Sequence, residues 1–167
     1  MELEKIAEIL IYLHAGFGGI ALLAGLLSMI AKKGLAIHKK SGLVFFHTML
    51  ISAITAMIVA FLPNHESPFL FAVGIFSLYF ILTGKRSLRF KHKNPERLKK
   101  SWLKLHLGKM LGAYISATTA FVVVNEFFPS FYGWFIPGIV GGFFITYWIR
   151  KLNGKKLLPI IPIANRA

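Results

Sequence analysis

The stretch that decides the fold is Trp102–Asn125, WLKLHLGKMLGAYISATTAFVVVN, an apolar run of membrane-crossing length with a histidine, a lysine and a methionine near one end. At ~3.6 residues per turn, His106, Met110, Ala113, Ala117, Ala120 and Val124 fall in one narrow sector. Helix contacts inside membranes are made by Gly, Ala, Ser and Thr, which let backbones approach, whereas lipid-facing sides are large and aliphatic. This sector is small and polarisable, so His106 is expected to point into the protein.

The rest of the chain is of the same kind. At 167 residues and 56% hydrophobic, with a mean hydropathy of +0.64, it carries more apolar side chain than a soluble domain of its size holds. About 20 apolar residues cross a bilayer, and ~17 suffice where it thins. Five stretches qualify, near 9–31, 43–62, 68–83, 105–124 and 134–149, the third and fifth being short. The first opens on Glu2 and Glu4 and runs on to Ala31, which reads as a retained span and not a secretory signal. The fold class is therefore all-α, an integral membrane bundle of five transmembrane helices forming a single domain.

The net charge of +14 is a topology signal, because it follows the loops. Eighteen basic residues lie in the first connection (Lys32, Lys33, Lys39, Lys40), the third (Lys85 to Lys104) and the tail from Arg150. The opposite side holds Lys5 and collects Glu2, Glu4, Glu8, Glu66 and Glu126. The positive-inside rule then puts the N-terminus outside and the C-terminus in the cytoplasm, in a bacterial inner membrane. Lys109, one turn into the fourth span, is expected to snorkel. Ser67-Pro68 and Asn94-Pro95 each place a capping residue before a proline at the first helical position. A helix from Pro95 with Leu98, Trp102 and Leu105 on one face suits a headgroup-level amphipathic turn. The tail, 150–167, reads as basic and irregular.

Intramembrane ionisable residues are functional candidates by default. His14 lies on a seam with Gly18, Ala21, Gly25 and Ser28, so it faces a partner helix in the outer half. His106 enters from the other end, roughly 15 to 20 Å away in depth at ~1.5 Å per residue, so the two cannot share one metal. His47 shares its depth with His106, but its own helical face carries Ile51, Ile54 and Ile58. His38, in the first basic connection, is the other residue at that level. A b-type haem needs histidines from different helices, and His106 with His47 or His38 supplies such a pair. Met110, one turn from His106, cannot be the opposite axial ligand, but it can join His106 on a soft ion such as Cu(I). No internal repeat convincing enough for an inverted-repeat transporter is evident.

Several classes are excluded. There is no cysteine, hence no disulfide, thiolate site, iron-sulfur cluster or covalently attached haem. There is no aspartate and no Ser-His-Asp set, so hydrolysis has little to stand on. The basic loops lack an aromatic platform, so their partner is anionic lipid at the cytoplasmic face and not nucleic acid. Gly138 and Gly142, four apart, permit close contact within the bundle or in a homo-oligomer.

Three passages, LHAGFGGIALLAG (13–25), IHKKSGLVFFH (37–47) and HLGKMLGAYISATTAFVVVN (106–125), give the chain a family likeness. It resembles a group of small bacterial multi-pass membrane proteins, the domain-of-unknown-function family numbered twenty-three zero six. The resemblance implies an integral membrane protein with His14, His38 and His106 at family-like positions, and it carries over no activity. Where such sequences follow the His38-like position with a basic residue and an aromatic, this chain has Lys39 and Lys40. Two functional expectations stand. One is a haem- or metal-binding protein of electron transfer or sensing, with His106 as principal ligand. The other is a non-enzymatic structural or assembly subunit, or a small-solute or proton conduit, in which histidines are interhelical hydrogen bonds.

Overall fold

The structure, a computed structural model, describes residues 2–92, 101–128 and 131–154. The described residues form five α-helices: α1 Glu2–Ile30, α2 Ala36–Val59, α3 Pro68–Ser87, α4 Ser101–Val124 and α5 Tyr132–Gly154, with a short 3-10 turn at Leu88–His92. All five are long and apolar enough to cross a membrane. The expected helix start at Pro95, Pro129 and the tail beyond Gly154 lie outside the described residues.

Local chemistry accounts for the boundaries. Ser67 caps α3 by accepting a hydrogen bond from the Leu70 N–H at 3.3 Å, and Pro68 takes the first helical position. Gly34, at φ +85, makes the turn between α1 and α2 that an L side chain disfavours. The helices outrun the apolar stretches from which the spans were read. α2 starts at Ala36, which puts His38 on a helix, α3 runs to Ser87 and α5 to Gly154. Hydrogen bonding continues through the lysine-bearing ends because long cationic side chains reach water from a helical backbone.

The chain runs up and down. α1 packs on α2, α2 on α3 and α3 on α4, while α4 touches α1 only over a short stretch. These four form a bundle in which α2 and α4 are diagonal. By its backbone α5 lies along α4 alone among the described helices, while its Trp134 ring meets Phe69 of α3, centroids 4.1 Å apart. The core is Ala21 and Ala24 of α1, Phe45, Phe46 and Met49 of α2, Ile81 of α3 and Ala113 of α4. Small residues on α1 and α4 and large ones on α2 let the axes come close. At the bundle centre the Tyr114 ring tilts against Phe45 across the diagonal, centroids 6.2 Å apart.

Outside, the apolar residues face away from the protein: Leu23 is 72% exposed and Phe143 75%. A belt of this size is a lipid surface. Thr48, Thr83, Ser116, Thr118, Thr119 and Thr146, like the buried Thr55, each donate to the carbonyl four residues back, so their hydroxyls are satisfied on their own helix. Gly138 and Gly142 also look outward, with open space where a side chain would stand.

Gly25 is the point at which α1, α2 and α4 meet. A Cβ there would lie 2.6 Å from the Tyr114 ring and 3.1 Å from Phe45. Overpacking of this kind costs about 1–3 kcal/mol, more than the roughly 1 kcal/mol that alanine gains over glycine in a helix. Gly25→Ala is expected to lower the thermal unfolding midpoint in detergent, whereas Gly19→Ala, with nothing near it, leaves it unchanged or raises it. Equal midpoints for the two variants would remove the wedge from the account of the fold.

Candidate functional site

The three candidate histidines on helical seams share one geometry. His14 on α1 puts Nδ1 2.9 Å from the carbonyl oxygen of Ser52 on α2. His38 on α2 puts Nδ1 2.9 Å from the carbonyl oxygen of Ser28 on α1. His106 on α4 puts Nδ1 2.9 Å from the carbonyl oxygen of Gly84 on α3. A carbonyl only accepts, so in each case Nδ1 carries the hydrogen, and the neutral ring presents the lone pair of Nε2. A carbonyl-anchored Nδ1–H is the arrangement that orients histidine for ligation through the other nitrogen. All three rings are half-buried, and none looks out at lipid.

The first two bonds belong to one device. The Ser52 hydroxyl, 3.0 Å from His14 Nδ1, donates back to the His14 carbonyl at 3.1 Å, so each residue serves the other. At the other end the Ser28 hydroxyl lies 3.2 Å from His38 Nδ1. Glycine stands opposite each serine: a Cβ on Gly18 would meet Ser52 Oγ at 3.1 Å, and one on Gly42 would meet Ser28 Oγ at 3.5 Å. Both helices thus carry the same pattern, His-x3-Gly-x9-Ser, as His14, Gly18, Ser28 on α1 and as His38, Gly42, Ser52 on α2, displaced by 24 residues. Antiparallel pairing sets each histidine against the other helix's serine, closing two clasps roughly 21 Å apart at ~1.5 Å per residue. The repeat was present in the sequence as H-x3-G-x9-S written twice. A search by hydropathy passes over it because the intervening residues differ.

At the basic end, His38 and His106 hold equivalent places. Each sits near the start of its helix and binds a carbonyl in the last turn of the preceding one, Ser28 of α1 and Gly84 of α3, where helical carbonyls lack intrahelical partners. The up-and-down course of the chain puts them at the same end of the bundle, on the diagonal helices α2 and α4. Ser87 adds a hydroxyl bond to the Gly84 carbonyl at 2.6 Å, and Lys33 adds an ammonium bond to the Ser28 carbonyl at 3.0 Å. Burial holds the Lys33 ammonium below its ordinary pKa. Tyr114, Phe45 and Ala113 lie beneath this pair, deeper in the bundle.

The remaining candidates are placed elsewhere. His47 is exposed on the outer face of α2, its ring edge-on to Phe46 at 5.1 Å. The Met110 side chain packs in the space left by Gly84 on α3. His65, in the loop before α3, meets Glu4 Oε1 at 3.2 Å and ties that loop to the start of α1. Lys109 donates to the Tyr79 hydroxyl at 2.9 Å on the outer side of α3 and α4. Among the described residues, no three His, Cys, Asp or Glu side chains gather as a metal donor set. An apolar groove of about 280 Å³, lined by Ile54, Met57, Ile58, Phe61, Phe71 and Leu78, holds no histidine.

Described residues that form five helices long enough to span a bilayer, with an apolar outer belt and His14, His38 and His106 turned inward, define a multi-pass membrane protein. More particularly, it belongs to family DUF2306, described as a predicted membrane protein, whose model matches residues 11–151. No curated protein and no solved structure matches the chain.

The reciprocal clasp is open to a double-mutant cycle. Interhelical hydrogen bonds in membranes average about 0.6 kcal/mol and reach about 1.7. His14→Ala and Ser52→Ala are each expected to destabilise the detergent-solubilised protein by that order, with the double variant losing less than the sum of the two. Strict additivity would show that the two residues do not act on each other.

Proposed function

We propose that the chain is a b-type haem protein of electron transfer or sensing, with His38 and His106 as the two axial ligands. The observation that carries this reading is the pair of carbonyl-anchored imidazoles on diagonal helices at one end of the bundle. The donor set fits the group: haem takes two imidazole nitrogens from opposite sides, and here two Nε2 lone pairs come from α2 and α4. Tyr114 and Phe45 supply an aromatic floor beneath the pair. His38 and His106 would hold the group, and its chemistry would be one-electron exchange. The chain's own part is to fix both tautomers through Ser28 and Gly84, to surround the ring with apolar side chains and to keep water away. His47 is not needed, and His14 has no second histidine near it.

The same reading places the N-terminus outside and the basic loops in the cytoplasm, by the positive-inside rule, which puts the haem edge on the cytoplasmic side. A second reading is favoured by the reciprocity of the His14–Ser52 clasp. At that end a histidine serves as a structural tie, and the same role extended to all three would make the protein a non-enzymatic bundle component.

The two readings part on a visible spectrum. Protein expressed with ample haem precursor and purified in detergent is expected to show a Soret band and a redox-sensitive α band. His38→Ala and His106→Ala should each abolish or grossly alter it, while His14→Ala lowers only the unfolding midpoint. A colourless protein whose histidine variants all merely lose stability would hand the case to the structural reading.

A further inference from the structure

We propose that Lys33 and Lys151, which flank Trp148 at the basic end, form a binding site for the phosphate of an anionic phospholipid headgroup, and that this lipid joins the peripheral α5 to the α1–α2 hairpin. By backbone packing α5 rests on α4 alone. Its far end nevertheless meets the turn between α1 and α2, because Lys33 carries its Nζ to 5.9 Å from the Trp148 ring centroid. Lys151, one turn beyond Trp148, brings a second ammonium to 5.0 Å from the same ring and 5.6 Å from Tyr147. Two like charges from separate elements thus converge on one half-buried indole.

Nothing described nearby neutralises them. Lys33 donates to the carbonyls of Ser28 and Met29, which satisfy its hydrogens without cancelling its charge. The ring face attracts cations, but only weakly where water reaches them. Glu2, Glu4, Glu8, Glu66 and Glu126 all belong to the opposite end, and Glu96 lies outside the described residues. Partial burial already disfavours the charge on Lys33. A phosphodiester supplies a negative charge with several strong acceptors, and tryptophan at headgroup depth is where such a group is found. Acyl chains beneath the phosphate would lie against the exposed apolar side chains of α5 and the hairpin. This assignment is independent of the haem reading.

The test uses the full chain with Trp102→Phe and Trp134→Phe, leaving Trp148 as the only tryptophan. Brominated phosphatidylglycerol is expected to quench its fluorescence at far lower mole fraction than brominated phosphatidylcholine. At about 1 kcal/mol per basic residue near the surface, Lys33→Gln and Lys151→Gln should each weaken that preference about fivefold, and together about thirtyfold. Inorganic phosphate added to phosphatidylcholine micelles should leave the signal unchanged. Equal quenching by the two lipids, or a preference that survives the double lysine variant, overturns the proposal. So does displacement of the anionic lipid by low-millimolar phosphate, which would assign the site to a soluble anion. Should the single-tryptophan form fail to fold, native mass spectrometry of the otherwise unaltered chain, with and without the lysine substitutions, counts retained phosphatidylglycerol and reads the same outcomes.

Discussion

An imidazole N–H cannot be left unpaired in hydrocarbon, and in this bundle the partner is each time a backbone carbonyl on the neighbouring helix. Much follows from that requirement. A side-chain nitrogen reaches a carbonyl across a helix pair only when the backbones are close, so the positions opposite must be glycine or serine. Gly18, Gly42 and Gly84 occupy such positions. The register of α1 on α2 is then fixed at two points about four turns apart, which apolar contact alone would leave free to slip. Because carbonyls only accept, the same bonds also set the tautomer. One constraint therefore determines packing, register and the chemical face each histidine shows.

The rest of the polar inventory is spent locally. Threonine and serine hydroxyls along the helices turn back to their own carbonyls, so they offer little to a hydrated path through the bundle. Lys109 is drawn to Tyr79 on the outer side, and His65 to Glu4 in the loops. What remains for chemistry inside the membrane is the set of imidazole Nε2 atoms. A solute conduit would need a continuous line of free donors and acceptors. On the haem reading, a protein that holds one flat, largely apolar cofactor needs two ligands and a packed floor, the parts proposed for His38, His106 and the Phe45–Tyr114 pair.

Much of this was legible in the sequence, for identifiable reasons. Five uncharged runs, a proline after a capping serine and an uneven spread of lysine report on solvent partition and backbone hydrogen bonding, which are properties of short segments. The inward turn of His14 and His106 was legible too, because small residues recurring at helical spacing mark a contact face. Three things were not. The true start of α2 was hidden by Lys39 and Lys40, which look like loop until their chains are allowed to reach out from a helix. The outward turn of His47 was only half legible: it shares its depth with His106, yet its side chain is exposed on the face it shares with Ile51, Ile54 and Ile58. The partners themselves, Ser28, Ser52 and Gly84, act through carbonyl oxygens, which every residue has. Identity alone therefore gives no signal, and only the repeated His-x3-Gly-x9-Ser spacing could have exposed two of them.

That repeat also explains why the two ends of the bundle differ. In α1–α2 the clasp is made twice, once in each half of the membrane, by a two-fold-like exchange of histidine and serine. In α3–α4 it is made once: His106 finds Gly84 at the basic end, and α3 carries no histidine to return the bond at the acidic end. The first hairpin thus offers one imidazole at each end, and the second offers one at the basic end only. A pair can assemble solely where both hairpins contribute, which is at His38 and His106. On the haem reading this limits the protein to one redox centre near a single membrane face. Electron exchange would then run along that face, or to a partner in the bilayer, since no second pair in the opposite half completes a path across.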